Sequence, residues 1–216
     1  MKIKNLSDLE QVKNEGLRLI YPDKIKISVG IATCGIATGA QEVYDEMKTA
    51  IEDEKLDAIL TRTGCLGFCQ KEPLVDILIS GLPKLTYKEM TPDKAREVVI
   101  ALKDGQIIEK YLLCKLEEEI LLDEPVKKYD ASKANGNLSS IPSYNEVPFF
   151  SKQRKIALRN CGFINPDSIE EYIARGGYSA LNKALTQLSP EQTIEEIKKL
   201  PSSPITSSSS AFVMSS

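Results

Sequence analysis

The chain has 216 residues, 42% of them hydrophobic and 27% charged, with a formal net charge of −3, which suits one globular domain or two small ones. Histidine is absent, so a catalytic imidazole, a His-ligated zinc or haem and a Rieske-type centre are excluded. The charge balance offers no basic field for nucleic acid, no apolar run approaches the ~20 residues of a membrane span, and Met1-Lys2-Ile3-Lys4-Asn5 lacks the apolar core of a signal peptide, so the expected location is the cytoplasm.

The first predicted element is a helix capped by Ser7, with Glu10 completing a capping box and Leu9, Val12, Leu17 and Ile20 at helical spacing before Pro22. Residues 24–31 alternate with period two and predict a strand. A helix is expected over 35–54, with Val43, Met47, Ala50 and Ile51 on one face. A short strand at 57–61 runs into a glycine-rich loop closed by Pro73, and a strand follows at 74–79. Gly81 and Pro83 turn the chain into a strand at 85–87, and Thr91-Pro92 starts a helix reaching about Leu102. Helix, strand, helix, strand, strand, strand, helix describes a small α/β domain, and a thioredoxin-like arrangement is the expectation. Residues 1–114 form this domain.

The pattern weakens over 115–148, where the small polar residues of 131–140 read as a linker. Residues 149–200 read as helical, in pieces at 149–159, 168–174, 178–185 and 190–200, the second and fourth opening at Asn165-Pro166-Asp167-Ser168 and Ser189-Pro190. Phe149, Phe150, Ile156, Leu158, Ile169, Tyr172, Ile173 and Leu181 are expected to form a small core there, and any apolar surface left exposed favours self-association into a homo-oligomer. Residues 201–216 are serine-rich and read as disordered.

Sulfur is what remains for metal or redox chemistry. Five cysteines stand at positions 34, 65, 69, 114 and 161, and in a reducing compartment clustered thiols point to metal or redox roles. Cys65 and Cys69 share the loop Thr63-Gly64-Cys65-Leu66-Gly67-Phe68-Cys69, and Cys34 follows a strand in Thr33-Cys34-Gly35-Ile36. Glycines beside thiolates let the backbone approach an iron–sulfur core closely. Two other readings stand beside that one: packed thiols without chemistry, and a dithiol redox pair, which Cys-x-x-x-Cys fits less well than Cys-x-x-Cys would. Cys114 and Cys161 read as ordinary packed thiols, the second at a helix end.

Taken together, Cys34-Gly35-Ile36-Ala37-Thr38-Gly39-Ala40 and Thr63-Gly64-Cys65-Leu66-Gly67-Phe68-Cys69-Gln70-Lys71-Glu72-Pro73-Leu74-Val75 resemble the thioredoxin-like [2Fe-2S] ferredoxin domain of NAD(P)-reducing and electron-bifurcating hydrogenases. Further on, Val147-Pro148-Phe149-Phe150, the run from Gln153 to Gly162 and Ser168-Ile169-Glu170-Glu171-Tyr172-Ile173-Ala174-Arg175-Gly176-Gly177-Tyr178 resemble the start of the NADH-binding flavoprotein subunit, shared with respiratory complex I. The resemblance spans about residues 24–199. It implies an electron carrier with a [2Fe-2S] cluster on Cys34, Cys65 and Cys69, with other hydrogenase or NADH dehydrogenase subunits as partners.

Two departures qualify it. The four-cysteine form of that ferredoxin domain spaces its first pair Cys-x-x-x-x-Cys; with Cys34 as the second member, the first falls on Val29, so the fourth ligand is not identified. After Lys199 the family continues into a glycine-rich stretch that wraps FMN and NADH, whereas Leu200-Pro201-Ser202-Ser203-Pro204 stands here. The expectation is a truncated subunit without FMN or NAD sites, inactive alone towards pyridine nucleotides. The rival expectation is a cluster-free module that docks partner redox subunits.

Overall fold

The computed structural model describes residues 3, 5–119, 127–133, 138–153, 155 and 158–199. The serine-rich tail, the expected helix stop at Pro201, Ile156 and positions 134–137 of the polar stretch lie outside them.

The first helix, α1 (Leu6–Ile20), is capped two residues earlier than the sequence predicts, because the side-chain oxygen of Asn5 accepts from the Asp8 amide at 2.9 Å. Strand β1 (Ile25–Gly30) leads into the expected helix, which is broken at Thr38–Gly39 into α2 (Thr33–Ala37) and α3 (Ala40–Glu54). Then come β2 (Ala58–Thr63), β3 (Val75–Leu78), β4 (Lys84–Tyr87) and α4 (Pro92–Lys103), whose Thr91 cap and first-turn proline are as read from the sequence. A strand absent from the predicted order, β5 (Leu112–Leu116), completes the sheet.

The sheet order is β2-β1-β3-β4-β5. Strands β1 and β2 are parallel, and β3, β4 and β5 continue antiparallel. A parallel β-α-β unit beside an antiparallel hairpin and a returning helix is the thioredoxin-like α/β arrangement. Because β1 and β2 are parallel, the segments that leave them, carrying Cys34 and Cys65, emerge at one end of the sheet, where open α/β sheets bind ligands.

Alternation along the strands divides the residues between two faces. Ile27, Val29, Val75, Ile77, Leu85 and Tyr87 point into the main apolar core, where they meet Val43, Met47 and Ala50 of α3 and Ala95, Val98 and Val99 of α4. Lys26, Asp76 and Thr86 occupy the alternate positions and are buried too. They are covered by α1 and by a segment ending in α6 (Ile169–Ala174), capped by Ser168. Lys26 pairs with Glu171 of α6 at 3.1 Å and donates to the Leu19 carbonyl at 2.8 Å. Asp76 accepts from the Thr86 hydroxyl at 2.5 Å and from Lys84 at 3.1 Å. Helices α1 and α6 touch at Gly16, where a Cβ would come within 2.0 Å of the Glu170 carbonyl oxygen.

The polar stretch after β5 is partly packed. Strand β6 (Glu118–Glu119) pairs antiparallel with β7 (Lys127–Lys128), Leu138 enters the main core, and Lys115 donates from its amide to the Pro142 carbonyl and from its ammonium to the Leu138 carbonyl. Beyond it, among the described residues, the expected helix at 149–159 is the single turn α5 (Pro148–Ser151). Helices α7 (Ser179–Thr186) and α8 (Pro190–Lys198) follow, the latter with a Ser189–Gln192 capping box. The apolar residues of this region do not form a core of their own. Phe150 packs with Leu66, Leu74, Leu113, Cys114 and Val147 behind the cysteine loop, Ile173 is buried, and Leu158, Ile169 and Leu181 are exposed. Among the described residues no helix is long and apolar enough to cross a membrane.

Candidate metal centre

Cys34 lies in the first turn of α2, which folds back over the end of β1. That return requires glycine at position 35: a Cβ there would sit 2.4 Å from the Gly30 carbonyl oxygen and 3.5 Å from a Glu72 carboxylate oxygen. Cys65 and Cys69 occupy the loop after β2, and Cys69 opens a 3₁₀ turn over Cys69–Lys71. The Gly67 amide donates to the Cys65 sulfur at 3.1 Å, the kind of N–H donor that stabilises a thiolate. Cys34 and Cys65 are half-buried and Cys69 is exposed.

The fold brings the three predicted thiols together. The Cys69 thiol interacts with those of both Cys34 and Cys65, and its pKa is raised first by the hydrogen bond with Cys34 and then by desolvation. Burial pushes the Cys65 thiol up, the Gly67 amide opposes that, and the charge of Glu72 adds to it. Among the described residues, no group of three or more Cys, Asp or Glu side chains is arranged so that it could hold a metal ion.

Val29, at the place of the missing family cysteine, is wholly buried in β1 between Arg62 and Val75. Its side chain belongs to the core, away from the loop. Cys114 in β5 is equally inaccessible, and burial pushes its thiol up to about 12.

Two neighbours of the thiols were not singled out by the sequence. Glu72 is buried under the loop, where it accepts from the Cys65 thiol at 3.7 Å and from the Leu74 amide at 2.8 Å, and desolvation raises its pKa. It is the only acidic residue between Cys65 and Pro73, which was the signal available. Cys161 lies in a turn rather than at a helix end, half-buried against Gly64.

An aromatic stack fastens the following segment to the loop. Phe68 stacks on Phe149 with ring centroids 4.1 Å apart, Phe150 meets Phe68 edge-on, and Tyr144 stacks on Phe150. The Lys155 ammonium, half-buried, donates to the Leu66 carbonyl at 3.0 Å. Its pKa is lowered first by desolvation and then by Lys84, while Cys161, Asp76 and Cys65 raise it.

No family model matches the chain. It is 50% identical over 48 residues to the NADP-reducing hydrogenase subunit HndC of Solidesulfovibrio fructosivorans, a match covering 22% of this chain and 10% of that protein. It is 25% identical over 123 residues to subunit HndB of the same organism, covering 55% of this chain and 98% of that one. The chain thus spans about a tenth of the first relative and nearly all of the second. Two structures of a thioredoxin-like [2Fe-2S] ferredoxin from Aquifex aeolicus align with 43% of this chain and 93% and 99% of their own, at 21% and 23% identity and a TM-score of 0.38. By sequence, the chain resembles subunits of an NADP-reducing hydrogenase, and its sheet has the thioredoxin-like order.

Proposed function

We propose that the chain is an iron–sulfur electron-transfer module of a hydrogenase or NADH dehydrogenase flavoprotein subunit, with Cys34, Cys65 and Cys69 holding a [2Fe-2S] cluster. The observation that carries this reading is the meeting of three thiols, from the ends of two parallel strands, in a chain without histidine. The donor set fits: sulfur ligands, a backbone amide aimed at one of them, and glycine where the chain must pass closely. A cluster bound there supplies one-electron transfer. The protein's part is to hold the thiolates, to place Cys69 at the surface for partner subunits, and to keep Cys34 and Cys65 half-covered. In this reading flavin and pyridine-nucleotide chemistry lies outside these residues. NADH-dependent dye reduction by the purified chain would contradict that part.

The test is iron and acid-labile sulfide per chain after anaerobic purification and reconstitution, with the visible spectrum. About two irons and two sulfides are expected, with Cys65→Ser losing iron and colour. No iron in the wild type overturns the reading.

A second reading, a cluster-free module that docks partner subunits, is favoured by a different observation. Leu181 and Leu185 of α7 and Ile194 and Ile197 of α8 are all more than half exposed. Exposed apolar residues on neighbouring helices suit a protein interface or self-association. Unchanged metal content and folding in Cys65→Ser would favour docking.

A further inference from the structure

We propose that Cys161 supplies the fourth thiolate of the cluster held by Cys34, Cys65 and Cys69. The inference rests on the cluster reading above and completes its ligand set. A [2Fe-2S] core takes four protein ligands, and the chain has five cysteines. Cys114 is sealed in β5 and Val29 faces the core, which leaves Cys161.

Cys161 is distant in sequence but adjacent in the fold. Its sulfur lies 3.3 Å from where a Cβ would project at Gly64, so any other residue there would press on the thiol. The turn that presents it is fastened to the cysteine loop at several points. The Gly162 amide donates to the Thr63 hydroxyl oxygen at 2.9 Å, and that hydroxyl donates to the Ile164 carbonyl at 3.1 Å. Lys84 donates to the Gly162 carbonyl at 2.7 Å. Gly162 itself, at φ +83°, presses so closely on Leu66 that a Cβ would fall 2.4 Å from a leucine methyl.

Lys155, anchored on the Leu66 carbonyl, interacts with both Cys161 and Cys65. Burial pushes the Cys161 thiol up and the Lys155 charge opposes that; the same charge would offset the negative charge that the two sulfurs bring on ligation. On ligation the Cys161 thiol releases its proton to solvent and its sulfur bonds iron in place of water; no electron is transferred. Glu72, which touches Cys65 from below, is the competing fourth donor.

The experiment compares the wild type, Cys161→Ser, Cys161→Ala, Glu72→Gln and Cys114→Ser after anaerobic reconstitution with ferrous iron and sulfide. Iron, sulfide and the electron paramagnetic resonance of the reduced state are measured, with circular dichroism to establish folding. The expected result is about two irons in the wild type and Cys114→Ser. Cys161→Ala should lose at least half of its iron while folded, and Cys161→Ser should show a shifted resonance. A second measurement needs no substitution: iodoacetamide should alkylate Cys161 severalfold more slowly in loaded wild-type protein than after the iron is chelated. Wild-type iron content and resonance in Cys161→Ala, or equal alkylation with and without iron, overturns the inference while leaving the cluster reading intact. Loss of iron in Glu72→Gln but not in Cys161→Ala assigns the place to the carboxylate and overturns it as well. A wild type that takes up no iron overturns both.

Discussion

The two faces of the sheet are buried by different means. One meets α3 and α4 through aliphatic side chains and one tyrosine. The other carries Lys26, Asp76, Lys84 and Thr86, yet it is covered as well, by α1 and the segment ending in α6. Antiparallel sheets often leave a polar face in water. Here that face is closed by importing partners from the second half: Glu171 for Lys26, the Gly162 carbonyl and the Phe163 ring for Lys84, and Arg175 for Glu119. The apolar face is built mainly from residues 25–112, with Leu138 added from the stretch after β5, whereas the polar face takes its charged partners from residues 160–175. The same segment carries Cys161 to the cysteine loop.

Substitutions can break this contrast. The largest effect is expected from Arg175→Met, which strands the buried Glu119 carboxylate with the Tyr21 and Tyr129 hydroxyls as its remaining partners. A loss of roughly 3–5 kcal/mol in urea unfolding is predicted; a loss under about 1 kcal/mol would mean that the face is wet. On the other face, Met47→Ala empties a fully buried site on α3 and should cost about 2–5 kcal/mol through cavity formation.

A cycle of Lys26→Met, Glu171→Gln and the double variant sharpens the comparison further. Lys26 loses part of its basicity to desolvation, and Glu171 restores some of it. The glutamine keeps an acceptor for the Asn165 amide that Glu171 now serves at 2.7 Å. The double variant should recover about 0.5–3 kcal/mol relative to the sum of the singles; strict additivity would dissolve the pair as a unit.

The smallest effect is a matter of pH. The Cys114 pKa of about 12 in the fold exceeds the roughly 8.5 of an unfolded thiol. Its raised value means that the group's contribution to stability is intact below about 8.5 and falls as pH rises from there towards 12. At pH 8 folded, iron-free protein should leave Cys114 unalkylated while the exposed Cys69 reacts, and comparable labelling of the two would refute its burial.

Much of the architecture was legible because its signals are local. Period-two alternation marked β1, the Thr91-Pro92 pair marked α4, and Ser168 and Ser189 marked the starts of α6 and α8. Asn5 displaced Ser7 as a cap because either side chain can serve and only geometry chooses. Strand β5 could be recognised as an apolar run, but its place beside β4 is a non-local pairing. The site divides in the same way. Cys34, Cys65 and Cys69 announce themselves by spacing and flanking glycines, whereas Cys161 gains its neighbour only when the Thr63–Gly162 bond forms. Phe149 and Phe150 were expected in a core of their own because periodicity cannot say which surface an apolar residue meets; they pack on the cysteine loop instead.

The contact of α1 with α6 at Gly16 has a kinetic consequence. Tyr21 and Arg175, which meet beside it, are 154 residues apart in the chain. Bringing them together costs loop-closure entropy before their contacts can return any enthalpy. The aliphatic face is built mostly from residues between β1 and α4, so the charged face is expected to close late. A folding intermediate with a formed sheet and a still-open cysteine loop is the expected consequence.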